Sequence, residues 1–97
     1  METTAEIIEI LKEYKARSAA KYGIEMMGLF GSVARGEQNE KSDIDVFVKL
    51  KKPDFIIRMT IKDELEKIFH KKIDIVPLFE TMRALLRDKI EHDAVYV

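Results

Sequence analysis

Three aspartates and one glycine-serine pair are the residues in this chain best placed to do chemistry. Asp43 and Asp45 stand one residue apart at the head of an apolar run, and Asp74 sits between Ile73 and Ile75 in a later one. Carboxylate oxygens are the ligands that hard divalent cations such as Mg²⁺ take. Alternate side chains of an extended chain share a face, so Asp43 and Asp45 present oxygen donors roughly 7 Å apart, a span that Mg²⁺ ions can bridge. Gly31 and Ser32 follow an earlier apolar run, ten residues before Asp43. A glycine there lets the backbone approach a phosphate without a Cβ in the way. The serine adds a hydroxyl and an N–H where a helix start favours anions.

Each motif alone has an ordinary explanation. A Gly-Ser pair after a strand is a tight turn, and Asp-x-Asp is a cap at a strand start. Asp74 shifts the balance, because an aspartate within a strand is disfavoured by propensity and by burial unless a cation offsets its charge. If its strand lies beside that of Asp43 and Asp45, three acids converge on one place.

The elements that must position these residues follow from periodicity. Residues 3–22 predict a helix, with Thr3 and Glu6 as a capping box and Ile7, Ile8, Leu11 and Tyr14 at helical spacing, ended by Gly23. Residues 24–30 lie between two glycines and predict a buried strand. Residues 32–37 predict one helical turn, and 37–42 a polar surface loop. Residues 43–50 alternate, with Ile44, Val46, Val48 and Leu50 on one face and Asp43, Asp45, Phe47 and Lys49 on the other. Asp54 caps a helix whose stripe is Ile57, Ile61, Leu65, Ile68 and Phe69. Residues 72–78 predict a third strand, with Pro77 marking its end or an edge. Residues 81–92 predict a last helix and 94–97 a short edge strand. The fold class is α/β (α+β): a small mixed sheet with helices packed mainly on one side, in which the short link between strands from Ile24 to Val48 suggests at least one antiparallel or nearly adjacent pairing.

A chain of 97 residues has room for one domain, residues 1–97, with one core. Its 17 basic and 18 acidic side chains give a net charge of −1, which offers no strong signal for nucleic acid or an anionic membrane. The lack of cysteine excludes disulfides, thiolate catalysis and cysteine-ligated zinc. With no secretory signal profile and no apolar run long enough to span a bilayer, the expected compartment is the cytoplasm. Tyr14, Tyr22 and Tyr96 offer hydroxyls for self-modification, and His70 and His92 read as surface or helix-end residues.

The series Gly31-Ser32, ten residues, Asp43-Ile44-Asp45, with Arg35, Gly36 and Ser42 inside it, resembles the signature of the DNA polymerase beta type nucleotidyltransferase superfamily. Within it, the chain looks most like the minimal nucleotidyltransferases. The resemblance runs from residue 24 to residue 78. It implies that Gly31 and Ser32 grip the triphosphate of ATP, with Arg35 and Ser42 as further nucleotide-binding residues, Arg35 contacting phosphate or tying the loop to an acid. It also implies that Asp43, Asp45 and Asp74 hold Mg²⁺, two ions in such sites, with Asp74 helping to activate the attacking hydroxyl.

Minimal nucleotidyltransferases are commonly paired with a HEPN ribonuclease toxin, which they neutralise as antitoxins by moving AMP from ATP onto a tyrosine. By resemblance, then, the partner is a HEPN-domain toxin, no membrane is involved, and homo- or hetero-oligomers are both open. Two alternatives stand beside this: a non-catalytic antitoxin that neutralises its partner by contact, and transfer to a small molecule or nucleic acid.

Overall fold

The structure is a computed structural model and describes residues 3–37, 43–78, 88, 92 and 94–97. Helix α1 (Thr4–Tyr22) begins at Thr3, whose hydroxyl accepts from the Glu6 amide while the Glu6 carboxylate accepts from the Thr3 amide, so the capping box forms as expected. It ends at Gly23 in the left-handed conformation (φ 69). Strand β1 (Ile24–Phe30) follows directly, then a single turn α2 (Gly31–Ala34), shorter than expected and starting one residue earlier. Strand β2 (Ile44–Leu50) leads through Pro53 to helix α3 (Phe55–Phe69), capped by the Asp54 carboxylate on the Ile57 amide at 3.1 Å. Strand β3 (Ile73–Pro77) and the two-residue β4 (Val95–Tyr96) complete the sheet. The helix expected over residues 81–92 lies outside the described residues except for Asp88 and His92, both helical. Most of the expected polar loop, residues 38–42, also lies outside them.

The sheet order is β3-β2-β1-β4. β1 pairs antiparallel with β2 and with β4, whereas β2 and β3 are parallel, so the sheet is mixed. Parallel neighbours need a crossover, and α3 supplies it. In the β1–β2 ladder, Met27 meets Val48 and Leu29 meets Val46. A bulge between Ile24 and Met26 inserts the extra residue that lets Ile24 share the buried face with Met27, three positions on. These side chains pack against Ile7, Leu11 and Tyr14 of α1 and Ile61, Leu65 and Phe69 of α3 in one core. Both helices therefore cover the same sheet face, as expected.

The other face carries the acids. Phe47 belongs to that face yet is fully buried. Its ring lies where a Cβ on Gly28 would stand, with Tyr96 edge-on at 5.1 Å. Alternation along β2 placed Phe47 with the acids, but its burial depends on Gly28 and Tyr96, which are remote in sequence.

Two polar ties hold the helices in place. Tyr14 and Tyr22 each donate a hydroxyl hydrogen bond to Glu64 of α3, at 2.7 and 2.8 Å. The bond from Tyr14, then that from Tyr22, hold the Glu64 carboxyl below its ordinary value of 4.5, aided by Lys21 and Arg17. Burial first, and Glu64 second, push the Tyr14 hydroxyl well above its usual range. Glu66 accepts from the Ile73 amide at 3.1 Å, which fixes the first residue of β3 to the last turns of α3.

A group whose folded value is lowered stabilises above its unfolded value and loses that stabilisation as pH falls through the folded value. Denaturant midpoints should therefore fall as pH drops below about 4.5, and fall less steeply in Glu64→Gln. Tyr14→Phe should cost about 1–2 kcal/mol at pH 7, the scale of a buried bond to a charged acceptor. Equal stability of Tyr14→Phe and the parent would remove the tie from the account.

Candidate active site

The site is built where β1 ends and β2 and β3 begin. Asp45 pairs with Asp74 across the parallel β2–β3 ladder, and Phe30 pairs with Asp45 across the antiparallel β1–β2 ladder. Register partners in a sheet share a face. Ile44, Val46, Ile73 and Ile75 point into the core, so Asp45 and Asp74 turn to the face away from the helices. The Asp74 strand lies beside that of Asp45, the condition on which convergence of the acids depended. Both carboxylates are half-buried.

Asp43 lies one residue before β2, where the Ile44 amide already bonds the Lys72 carbonyl at 3.1 Å. Its Oδ2 is 3.9 Å from the Lys72 ammonium, so a cation from the β3 approach holds this acid.

Gly31 has φ 74, and a Cβ added to it would land on the Asp45 carboxylate. The glycine thus does two things: it adopts a conformation that L side chains avoid, and it leaves the space that Asp45 fills. Ser32 follows within α2, half-buried. Arg35, at the end of α2, meets Glu37 of the same loop at 3.0 Å, with both side chains largely exposed. Ser42 lies outside the described residues.

Sequence reasoning missed one further tie. The Thr4 hydroxyl donates to the Val33 carbonyl at 2.7 Å, joining the first turn of α1 to α2 across 29 positions. No local pattern signals such a bond. Its loss in Thr4→Val should raise amide exchange at Arg35 and Gly36 by roughly tenfold, the factor carried by about 1.4 kcal/mol. Thr4→Ser should restore the protection.

All the candidate donors are carboxylate oxygens, the set that Mg²⁺ prefers, and the Asp45 carboxylate occupies the space beside Gly31 where a Cβ would stand. These residues fit a hard divalent ion. Among the described residues, no three acidic or imidazole groups stand together at metal-holding spacing, with Asp43 engaged by Lys72. No helix among the described residues is long and apolar enough to cross a membrane.

The family model described as polymerase beta nucleotidyltransferase matches residues 5–97. The chain is a member of that family. As a polymerase beta nucleotidyltransferase it is an enzyme of nucleotidyl transfer, and a nucleotide is its substrate class. A candidate protein adenylyltransferase of Methanocaldococcus jannaschii is 38% identical over 100 residues, covering all of both chains. The protein adenylyltransferase MntA of Thermococcus cleftensis is 29% identical over 98 residues, covering 100% of this chain and 98% of its own.

Among solved structures, a candidate minimal nucleotidyltransferase superposes with a TM-score of 0.78 at 27% identity, over 97% of this chain and 95% of that one. An MNT antitoxin in complex with a tri-AMPylated HEPN toxin of Shewanella oneidensis gives a TM-score of 0.60 at 20% identity, over 96% of this chain and 67% of that one. The last likeness is one of fold.

Proposed function

We propose that this nucleotidyltransferase, acting as a single domain over residues 1–97, moves AMP from ATP onto a tyrosine hydroxyl of a HEPN-domain partner, and so acts as the antitoxin to that partner. The observation that carries the reading is the in-register pair Asp45 and Asp74, set against the Cβ-free position of Gly31. Two carboxylates beside a backbone cradle suit a triphosphate with its counter-ion and serve few structural purposes.

In this reading Gly31, Ser32, Arg35 and Ser42 bind the nucleotide phosphates, and Asp43, Asp45 and Asp74 would hold Mg²⁺. When bound, the metal supplies positive charge to the phosphates and to the attacking oxygen. The tyrosine oxygen forms a bond to the α-phosphorus, the bond from that phosphorus to the β-phosphate bridging oxygen breaks, and pyrophosphate leaves. Asp74 takes the phenolic proton. The chain's own contribution in this reading is placement: α2, the proposed phosphate-binding turn, lies at the same sheet end at which Asp45 and Asp74 pair. The names of the relatives, protein adenylyltransferases and an MNT antitoxin of a HEPN toxin, support the acceptor class.

The test is intact-mass measurement of a HEPN-domain protein that co-purifies with this chain, after incubation with the enzyme, ATP and Mg²⁺. The expected result is a gain of one or more AMP units, mapped by fragmentation to tyrosine. An unchanged mass in a stable complex would replace this reading with neutralisation by contact. Modification of an added small molecule or nucleic acid instead would replace the acceptor.

A further inference from the structure

On the helical side of the molecule, across the sheet from the acids, α1 and α3 enclose an open groove of about 390 Å³. Its walls include Tyr14, Arg17, Lys21, Tyr22, Glu64 and Lys67, and the proposed transfer chemistry uses none of them. Glu64 is the lone acid of the lining. Its two oxygens already accept the hydroxyls of Tyr14 and Tyr22, so they are committed to the groove floor.

Arg17 lies over the Tyr14 ring at 5.5 Å and Lys21 over the Tyr22 ring at 5.1 Å. Ring faces hold both cations in place and accept none of their N–H bonds in full. Arg17, Lys21 and Lys67 are exposed. Three cations against one carboxylate give the groove a charge of +2 within a chain whose net charge is −1. The excess is local and concave.

Spacing decides what fits. Arg17 and Lys21 are four residues apart on α1, one turn, with side chains roughly 6 Å from each other. Carboxylates placed i and i+4 on an opposing helix have the same interval. Two helices side by side also present the furrow into which a third helix seats, and Ile68 adds an apolar contact on its wall. A nucleic-acid backbone would need a longer run of cations along its path. Outside the lining, Glu13 and Asp63 stand exposed one turn before Arg17 and Lys67, so the basic run is confined to the groove and is short.

We infer that this groove is a second contact surface, one that docks an acidic amphipathic helix of a protein partner through Arg17, Lys21 and Lys67. The surface is independent of the acids at the other face, so it holds whether or not AMP transfer to a HEPN protein is the reaction.

The test is a titration of the isotope-labelled chain with a synthetic helical peptide carrying glutamates at i and i+4, followed by two-dimensional amide NMR. Two probes serve as controls: the same peptide with lysine for each glutamate, and a short single-stranded RNA. The expected result is perturbation confined to residues 14–22 and 64–68 with the glutamate peptide alone, weakened by salt. In Arg17→Glu/Lys21→Glu its Kd should rise by at least tenfold, and in Lys67→Glu by less. Spectral dispersion of the variants checks that the fold is kept, and Arg17→Gln/Lys21→Gln, which sets no new acid beside Glu64, should raise Kd in the same direction by a smaller factor. No perturbation in the groove, equal response to the lysine peptide, or tighter binding of RNA there would overturn the inference.

Discussion

Asp45→Asn lowers nucleotidyl transfer by about a thousandfold and leaves the melting temperature equal to the parent or above it. The two halves of this expectation have one cause. Asp45 and Asp74 are register partners on one sheet face, so their like charges repel when no cation lies between them. Asparagine keeps the shape that fills the space beside Gly31, removes one of the charges, and offers a poorer ligand for a divalent ion. Losing an electrostatic group on which the transition state depends costs on the order of 10²–10³ in rate, and loss of a direct ligand belongs at the upper end. The measurement is initial rate of labelled AMP incorporation at saturating ATP and Mg²⁺, with thermal unfolding in chelator. A residual rate within tenfold of the parent would remove Asp45 from the reaction, and a large drop in melting temperature would make it a structural acid.

The second large effect is expected at Gly31, where an internal control is available. Gly31 and Gly36 both have φ 74. A Cβ at Gly36 meets nothing within 4 Å, whereas one at Gly31 runs into the Asp45 carboxylate. Gly36→Ala therefore reports the conformational cost alone, about 1–2 kcal/mol. Gly31→Ala adds the displacement of Asp45 to the same cost. Urea denaturation should show Gly31→Ala less stable than Gly36→Ala by a further 1–2 kcal/mol or so, and transfer should fall by about a hundredfold in the first while changing little in the second. If the two alanine variants match in both stability and rate, the contact between Gly31 and Asp45 has no functional weight.

What the sequence discloses about this fold divides by range. The Thr3 and Glu6 box, the stop at Gly23, the strand between two glycines and the Asp54 cap are all settled by residues close to one another in the chain, and each is found where the pattern puts it. The alternation of β2 and β3 likewise assigns Asp45 and Asp74 to the face opposite their isoleucines. What alternation does not contain is which strands are neighbours. The parallel pairing of β2 with β3 joins residues about thirty positions apart through α3, and nothing in either strand announces it.

The same holds for Thr4 with Val33 and for Phe47 with Gly28 and Tyr96. The Lys72 contact to Asp43 and the Glu37 contact to Arg35 needed the folded loops as well. Glu64, singled out by no motif, is revealed only by the two tyrosines that turn toward it.

The β2–β3 register also acts as a guard against error. Side chains change faces with every residue along a strand, so sliding β3 by one position would set Ile73 or Ile75 beside Asp45 and thrust Asp74 among the core side chains. The isoleucines make that slip prohibitively unfavourable: Ile73 is fully buried and Ile75 packs against the core. The packing of the isoleucines thus keeps the two like-charged acids adjacent. Until β2 and β3 pair, Asp45 and Asp74 are not brought together, so closing that ladder and bringing this pair of acids to one sheet end are a single event.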